Sequence, residues 1–423
     1  MNHLILGAGP AGVIAAETIR KHAPHDRIVL VGDEPEAPYS RMAIPYLLIG
    51  NIQEEGTHLR HAAGHFEALR IELKRGRAKG IDSGRHQVHL EDGSSLPFDR
   101  LLIATGSSPM RPPIPGMDLP NVHSCWTLAD ARAIAQRAAK GARVLQMGAG
   151  FIGCIIMEGL GARGVELTVV AMGDRMVPRM MGPTAGGMIK DWCEGKGVRV
   201  FTGTRVEAIE DAGGGAMKVK LSNGQALEAD LVISATGVKP NIGFLENSPI
   251  KCLQGVLTDE HLQTSVPNVY AAGDCAEAFD VVSGKTIVSA IQPNAADQAY
   301  VAAMNMVGKA ATLKGVTQIN VLDTLGLIST SFGNWQGVAG GEQVELTDRP
   351  AGRHLSLQFK DDVMVGCNSI GWTEHVGVMR GLVEGQVKLG EWKNRLKQDP
   401  TLLMEAYLAS AQGQSIRALV APK

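Results

Sequence analysis

His3-Leu4-Ile5-Leu6-Gly7-Ala8-Gly9-Pro10-Ala11-Gly12 decides the fold of this chain, because a short apolar run breaks directly into G-x-G-x-x-G. In that grammar the run is a strand, the glycines form a tight turn, and the residues that follow open a helix. Val13 to His22 reads as the helix. Arg27-Ile28-Val29-Leu30-Val31 reads as the second strand, ending in Gly32-Asp33-Glu34. The acidic pair falls about 20 residues past the turn, where a carboxylate takes ribose hydroxyls. One such loop is a weak signal. The same grammar returns at Arg143-Val144-Leu145-Gln146-Met147, which runs into Gly148-Ala149-Gly150-Phe151-Ile152-Gly153. A helix from Cys154 to Arg163 and a strand over Glu166-Leu167-Thr168-Val169-Val170 complete the second unit. Two loops in strand–turn–helix context imply two dinucleotides held by one molecule.

A further echo supports duplication. Leu101-Leu102-Ile103-Ala104-Thr105-Gly106 and Leu231-Val232-Ile233-Ser234-Ala235-Thr236-Gly237 are both apolar strands ending in Ala-Thr-Gly, each downstream of its own fingerprint. Ser108 to Pro115 is Pro-rich and reads as a connection between domains. Glu210 to Ala216, with three successive glycines, reads as a hairpin or loop tip. From about Asp323 strand-like runs such as Leu355-Ser356-Leu357-Gln358-Phe359 give way to a helical stretch from Thr373 to Gln412. Asp399-Pro400 reads as a helix start within it.

The 423 residues suggest two or three domains. Net charge is −2, which offers no basic excess for nucleic acid or anionic membrane. No apolar run reaches the about 18 residues a membrane span needs. The first strand begins by about His3 and leaves no room for a cleaved signal peptide. The six cysteines, at 125, 154, 193, 252, 275 and 367, form no C-x-x-C or other close pair. That argues against a metal or iron–sulfur site built by this chain, against a disulfide scaffold, and for reduced thiols in the cytoplasm.

In these motifs the chain resembles the pyridine nucleotide:flavin oxidoreductases that carry two dinucleotide-binding domains. The resemblance covers nearly the whole chain. Gly7 to Gly12 looks like the family's FAD fingerprint. The stretch Val31-Gly32-Asp33-Glu34-Pro35, with Pro38-Tyr39-Ser40-Arg41, is similar to the ferredoxin, rubredoxin and nitrite reductase branch. Val269-Tyr270-Ala271-Ala272-Gly273-Asp274 looks like the second FAD motif, whose Asp holds the ribityl chain. Gln292-Pro293-Asn294 opens a helix whose N-terminus faces the flavin in such proteins. The implied fold is α/β, with two Rossmann-like dinucleotide-binding domains and a C-terminal α+β interface domain. The FAD domain spans residues 1–112 and 242–322 and is interrupted by an NAD domain at 113–241. The interface domain runs over 323–423.

The resemblance distributes roles over named residues. Gly7, Gly9, Pro10, Ala11 and Gly12 cradle the FAD pyrophosphate by backbone, with the helix dipole behind them. Asp33 or Glu34 meets the adenine ribose, Arg41 the pyrophosphate, and Ala104, Thr105, Gly106, Gly273, Asp274 and Pro293 complete the FAD site. Gly148, Gly150, Phe151, Ile152, Gly153 and Gly237 form the nicotinamide nucleotide site. There the acid expected at Ala171 is missing, while Arg175 and Arg179 are candidates for a 2′-phosphate. Gly153 favours NAD, so NAD stands ahead of NADP, and a vestigial site that binds neither is the remaining reading.

Two family features are absent. The segment Tyr39 to Leu48 has no redox cysteine, which speaks against thiol chemistry. Tyr46 and Ile155 replace a Lys and a Glu that pair beside the flavin in related reductases. His375 has a catalytic and a capping or interface reading, of which the second is preferred. Trp335, Trp372 and Trp392 are read as core or interface. No catalytic side chain is assigned.

The expected function is a flavoprotein reductase component. It exchanges a hydride between NAD(H) and FAD, and electrons with an iron–sulfur protein or subunit, as an oligomer or part of a complex. One host considered is a multisubunit tungsten aldehyde oxidoreductase. Two alternatives stay open: an NADH oxidase using oxygen directly, and a non-catalytic FAD-binding scaffold.

Overall fold

The computed structural model describes residues 1–410 and divides into two units. The first comprises Met1–Met110 with Val238–Val316, the second Arg111–Gly237 with the chain from Thr317 onward. The end of the helical stretch read to Gln412 lies outside the described residues.

The centre of the first unit is a five-stranded parallel sheet in the order Val269–Ala271, Arg100–Ile103, Asn2–Leu6, Arg27–Gly32, Ile71–Arg75. Asn2–Leu6 is central, with Leu4 paired to both Val29 and Leu101. Its residues are apolar on both faces because helices and a smaller sheet cover both. On one face the helices Pro10–His22 and Gln292–Met306 pack through Ala15, Ala16, Ala299, Ala302 and Ala303. Such small side chains let two helix backbones approach closely. On the other face Leu4, Leu6, Val29 and Val31 join Val88 and Leu90 of a three-stranded antiparallel meander.

The second unit repeats the plan. Arg143–Met147 is the central strand of another five-stranded parallel sheet, flanked by Glu166–Val170 and Leu231–Ser234. An antiparallel meander over Val206–Ala229 covers it, and its first hairpin turns at the glycines 213–215. The same unit holds a five-stranded antiparallel sheet built from Ile319–Thr324, Leu327–Gly333, Val363–Ile370, Arg353–Lys360 and Glu342–Asp348. The helices Val376–Glu384 and Glu391–Gln398 follow, and a further helix occupies 403–410.

Two local readings need correction. Ser108 and Pro109, the first residues of the Pro-rich connection, belong to the strand Ser107–Pro109, paired antiparallel with Val238–Pro240. Proline tolerates this because a two-stranded ribbon leaves edge positions without a ladder donor. Asp399 does not cap a helix opened by Pro400. Its carboxylate accepts the Thr401 amide at 3.0 Å, and the helix starts two residues later.

Candidate functional site

The two glycine loops have the same backbone. Gly7 donates to Val31 O at 2.7 Å, and Gly148 donates to Val170 O at 2.8 Å. Each first glycine has a positive φ, +113° and +106°. A Cβ at Gly7 would stand 2.0 Å from Ala104 O, and one at Gly148 would stand 2.3 Å from Ala235 O. The strand carrying Ala-Thr-Gly therefore presses on the turn in both halves, so that only glycine fits. The third glycines close the helix onto the turn. A Cβ at Gly12 would meet Gly7 O at 1.9 Å, and one at Gly153 would meet Gly148 O at 2.6 Å.

The middle glycines differ in kind. A Cβ at Gly9 or Gly150 would have nothing within 4 Å. Their small size serves no packing need of the protein itself. Each lies at the N-cap of a helix, Pro10–His22 and Phe151–Ala162, where no side chain satisfies the first amides. Open backbone at a helix N-terminus is the chemistry that holds a pyrophosphate. The residues fit two dinucleotides on this observation.

In the first unit the remaining FAD candidates gather around this turn. Gly106 is open to space, with a φ of +66°. Thr105 is locked across the ribbon: its hydroxyl donates to Asn241 O at 2.8 Å, and Asn241 Nδ2 donates to Thr105 O at 2.9 Å. Gly273 sits between helix starts, where a Cβ would be 3.3 Å from Ala11 and 3.6 Å from Ala295. Its amide donates to buried Gln298 Oε1 at 2.7 Å. Asp274 accepts the Ser107 hydroxyl at 2.8 Å. Burial pushes the Asp274 carboxyl above its ordinary value, while the Ser107 hydroxyl and the Arg41 charge pull it back. Pro293 is exposed in the first turn of its helix, and Ser40 ties the neighbouring segment to that turn by donating to Gln292 Oε1 at 2.8 Å.

The acidic pair is split. Glu34 accepts from Tyr39 OH and from Arg41, both at 2.6 Å, whereas Asp33 stays half exposed and meets Arg77 at 3.1 Å. The structure thus brings Arg41 to Glu34 and leaves Asp33 apart. Tyr46 is 55% exposed on the short helix Ile44–Ile49.

In the second unit Phe151 and Ile152 form the first turn of the helix, and Gly237 (φ +110°) follows the Ser234–Ala235–Thr236 strand end. Gln146, fully buried in the central strand, donates from Nε2 to Gly148 O at 2.9 Å and bolsters the turn. His375 occupies the N-cap position of Val376–Glu384 without a side-chain cap bond. Trp335 is buried, while Trp372 and Trp392 lie under the guanidinium groups of Arg353 and Arg395, each at 4.6 Å.

The cysteines are free. Burial raises every thiol, Cys125 and Cys193 to about 12, which leaves almost no thiolate at neutral pH. Among the described residues no group of His, Cys, Asp and Glu can hold a metal ion, and no helix is long and apolar enough to cross a membrane.

Ser107, Asn241, Gln298 and Gln146 were not legible as site residues, and Gln292 and Ser40 were legible only as members of the stretches Gln292-Pro293-Asn294 and Pro38-Tyr39-Ser40-Arg41. A usable signal existed in the Thr-Gly-x-x-Pro run Thr105-Gly106-Ser107-Ser108-Pro109, which holds Ser107, and its partial mirror Thr236-Gly237-Val238-Lys239-Pro240, which Asn241 directly follows.

The family model of the pyridine nucleotide-disulphide oxidoreductases matches residues 1–304. The chain belongs to that family. It is an α/β oxidoreductase that uses FAD and NAD(H). It is 33% identical over 403 residues to the NADH-dependent phenylglyoxylate dehydrogenase subunit epsilon of Aromatoleum evansii, covering 94% of this chain and 95% of that protein. It is 30% identical over 400 residues to an NADH oxidase of Methanocaldococcus jannaschii, covering 88% of each. Among solved structures, a ferredoxin reductase of Rhodopseudomonas palustris is 29% identical, with a TM-score of 0.79 over 87% of this chain and 91% of that one.

Proposed function

We propose that this chain is the NAD(H)-coupling flavin subunit of a larger electron-transfer enzyme, and that its electrons pass to or from a separate iron–sulfur protein or subunit. The observation that carries the reading is the doubled glycine cradle, open at Gly9 and again at Gly150. When bound, FAD supplies the chemistry, taking an electron pair from a nicotinamide and releasing electrons one at a time.

The chain's own work is positioning. Gly9, Gly106 and the Ala11 and Gly12 amides in the first turn of the helix Pro10–His22 hold the FAD pyrophosphate. Asp274 accepts hydroxyls of the ribityl chain, and Ser107 orients its carboxylate. The N-terminus of Gln292–Met306 supplies a positive dipole end for negative charge on the cofactor. Gly148, Gly150 and Gly153 hold the nicotinamide nucleotide likewise. No side-chain acid or base is assigned.

We assign 1–112 and 242–322 to the FAD domain, 113–241 to the NAD domain and 323–423 to an interface domain. The scattered cysteines support an external cluster and a cytoplasmic setting. The ferredoxin reductase likeness supports the kind of partner, and the named relative supports a subunit role. A phenylglyoxylate dehydrogenase and the tungsten aldehyde oxidoreductase considered above are both hosts of this kind.

The test is anaerobic mixing of the FAD-loaded chain with NADH, then with an oxidised ferredoxin or the co-purifying iron–sulfur subunit. Flavin bleaching by NADH and recovery on adding the cluster protein are expected. Without bleaching the chain is a scaffold. The likeness to an NADH oxidase favours one second reading, oxygen as direct acceptor. Rapid oxygen consumption by the lone chain with NADH is its signature.

A further inference from the structure

We propose that Asp174 is the residue that selects NAD(H) over NADP(H) in this chain, replacing from a loop the carboxylate missing at Ala171. The inference rests on nucleotide binding at the second fingerprint.

The strand Glu166–Val170 runs on into Ala171, which is buried and holds the neighbouring segment through bonds to Phe201 O and from Thr204 N. Gly173 O accepts from Gly203 N at 2.8 Å, so the start of the following loop is anchored. The loop then folds back on the fingerprint. Val177 N–H donates to Ala149 O at 2.8 Å, and Val177 O accepts from Met180 and Met181. Val177 does this with a φ of +47°, buried to 1%. A β-branched residue in the left-handed region is a strained conformation that persists only when its surroundings impose it. Here the bonds to Ala149 O and from Met180 and Met181 impose it and hold the loop against the glycine cradle.

Within this loop Arg175 is committed. Its Nε donates to Met181 O at 3.0 Å, and its Nη1 donates to both carboxylate oxygens of Asp174, at 2.9 and 3.0 Å. Its stem lies under the helix Pro183–Gly195 at Gly186, where a Cβ would stand 2.9 Å from the Arg175 Cδ. Arg175 is 20% exposed and Asp174 75% exposed. The Arg175 side chain is therefore mostly covered, and its guanidinium is tied to the carboxylate it neutralises. Arg175 cannot turn to a 2′-phosphate without breaking three hydrogen bonds. Asp174 keeps free lone pairs towards solvent, enough to accept the two hydroxyls of a ribose. A 2′-phosphate arriving there meets a carboxylate first, and like charges at contact disfavour it. Arg179 is exposed and has no ion pair among the described residues, which makes it the residue that would serve NADP(H) instead.

The experiment is calorimetric titration of the FAD-loaded chain with NAD+ and NADP+, for the native sequence and for Asp174→Ala, Asp174→Asn and Arg179→Ala. Steady-state rates with NADH and NADPH accompany it. Loss of a charge-assisted bond corresponds to roughly 10- to 100-fold in affinity. Both Asp174 variants are expected to lose that factor for NAD+, in Kd and KM with kcat kept, and to gain affinity for NADP+ as Arg175 is freed. Asp174→Asn controls for shape, and the exposure of Asp174 leaves the fold intact. An NAD+/NADP+ ratio unchanged within about twofold in both variants overturns the proposal. So does a native preference for NADP+ that Arg179→Ala abolishes. Failure of the native chain to bind either nucleotide overturns the underlying reading as well, and is told apart by that.

Discussion

Gly7 and Gly9 stand two residues apart and are glycine for opposite reasons. Gly7 combines a φ of +113° with a neighbouring carbonyl 2.0 Å from where a Cβ would sit. Gly7→Ala is expected to destabilise the first unit by more than about 3 kcal/mol, from strain and clash together, seen as a large fall in apoprotein melting temperature. Gly9→Ala meets nothing, so the apoprotein should melt within a few degrees of native while FAD affinity collapses. If Gly9→Ala retained FAD with native affinity, the cradle would not be the pyrophosphate site. Asp274 makes a related contrast. Its raised pKa means the folded chain holds that proton better than the unfolded one. The resulting stability is present at acid pH and is lost as the pH rises through the folded pKa, so ionised Asp274 burdens the apoprotein at pH 7. Asp274→Asn should therefore raise apoprotein stability at pH 7 while weakening FAD binding roughly 10- to 100-fold, measured by melting and by flavin fluorescence titration.

Among elements, the strand–turn–helix units were legible because their information is local: apolar runs, glycine spacing and an acid at a set distance. The ribbon pairing Ser107–Pro109 with Val238–Pro240 was not, since its partners are far apart in sequence and prolines suggest a connection. The same holds for the supports of the site. Ser107 reaches Asp274, Ser40 reaches Gln292 and Gln298 reaches Gly273, each a small polar residue whose role exists only once the chain is folded. Asp33 and Glu34 could be placed near the ribose by spacing, but not told apart. The structure separates them by giving Glu34 to Arg41 and Tyr39. These supports carry measurable weight. Gln298→Leu leaves the buried Gly273 amide unpaired and is expected to cost about 1–3 kcal/mol in denaturant unfolding, with FAD released earlier in the transition.

At the scale of the whole molecule, burial sets the response to acid and to thiol reagents. Burial lowers His3, His123 and His354 below the ordinary value of 6.5. The unfolded chain then binds protons that the folded chain refuses, so stability should fall as the pH drops below about 6.5. The slope is up to about 1.4 kcal/mol per pH unit for each histidine, read from melting temperature against pH. The thiols point the same way: Cys252 is the half-buried one, and the other five are buried. A thiol-labelling reagent at pH 8 should modify Cys252 slowly and the others only after unfolding, without loss of flavin reduction by NADH. Rapid inactivation would reinstate the thiol chemistry that the sequence of Tyr39 to Leu48 argues against.

The paired strands at Ser107–Pro109 and Val238–Pro240 bear on how the chain is made. They bring the exit and return of the chain side by side, but the return leaves the ribosome long after the exit. The edge strand Val269–Ala271 and the helix Gln292–Met306, which finish the first core, arrive later still. At about 5–20 residues per second, the Arg100–Ile103 edge waits roughly 8–35 s for its neighbour. During that interval Leu102 and the apolar side of Pro10–His22 are bare, so nascent chains stalled before residue 270 should bind chaperones, and full-length chains should not.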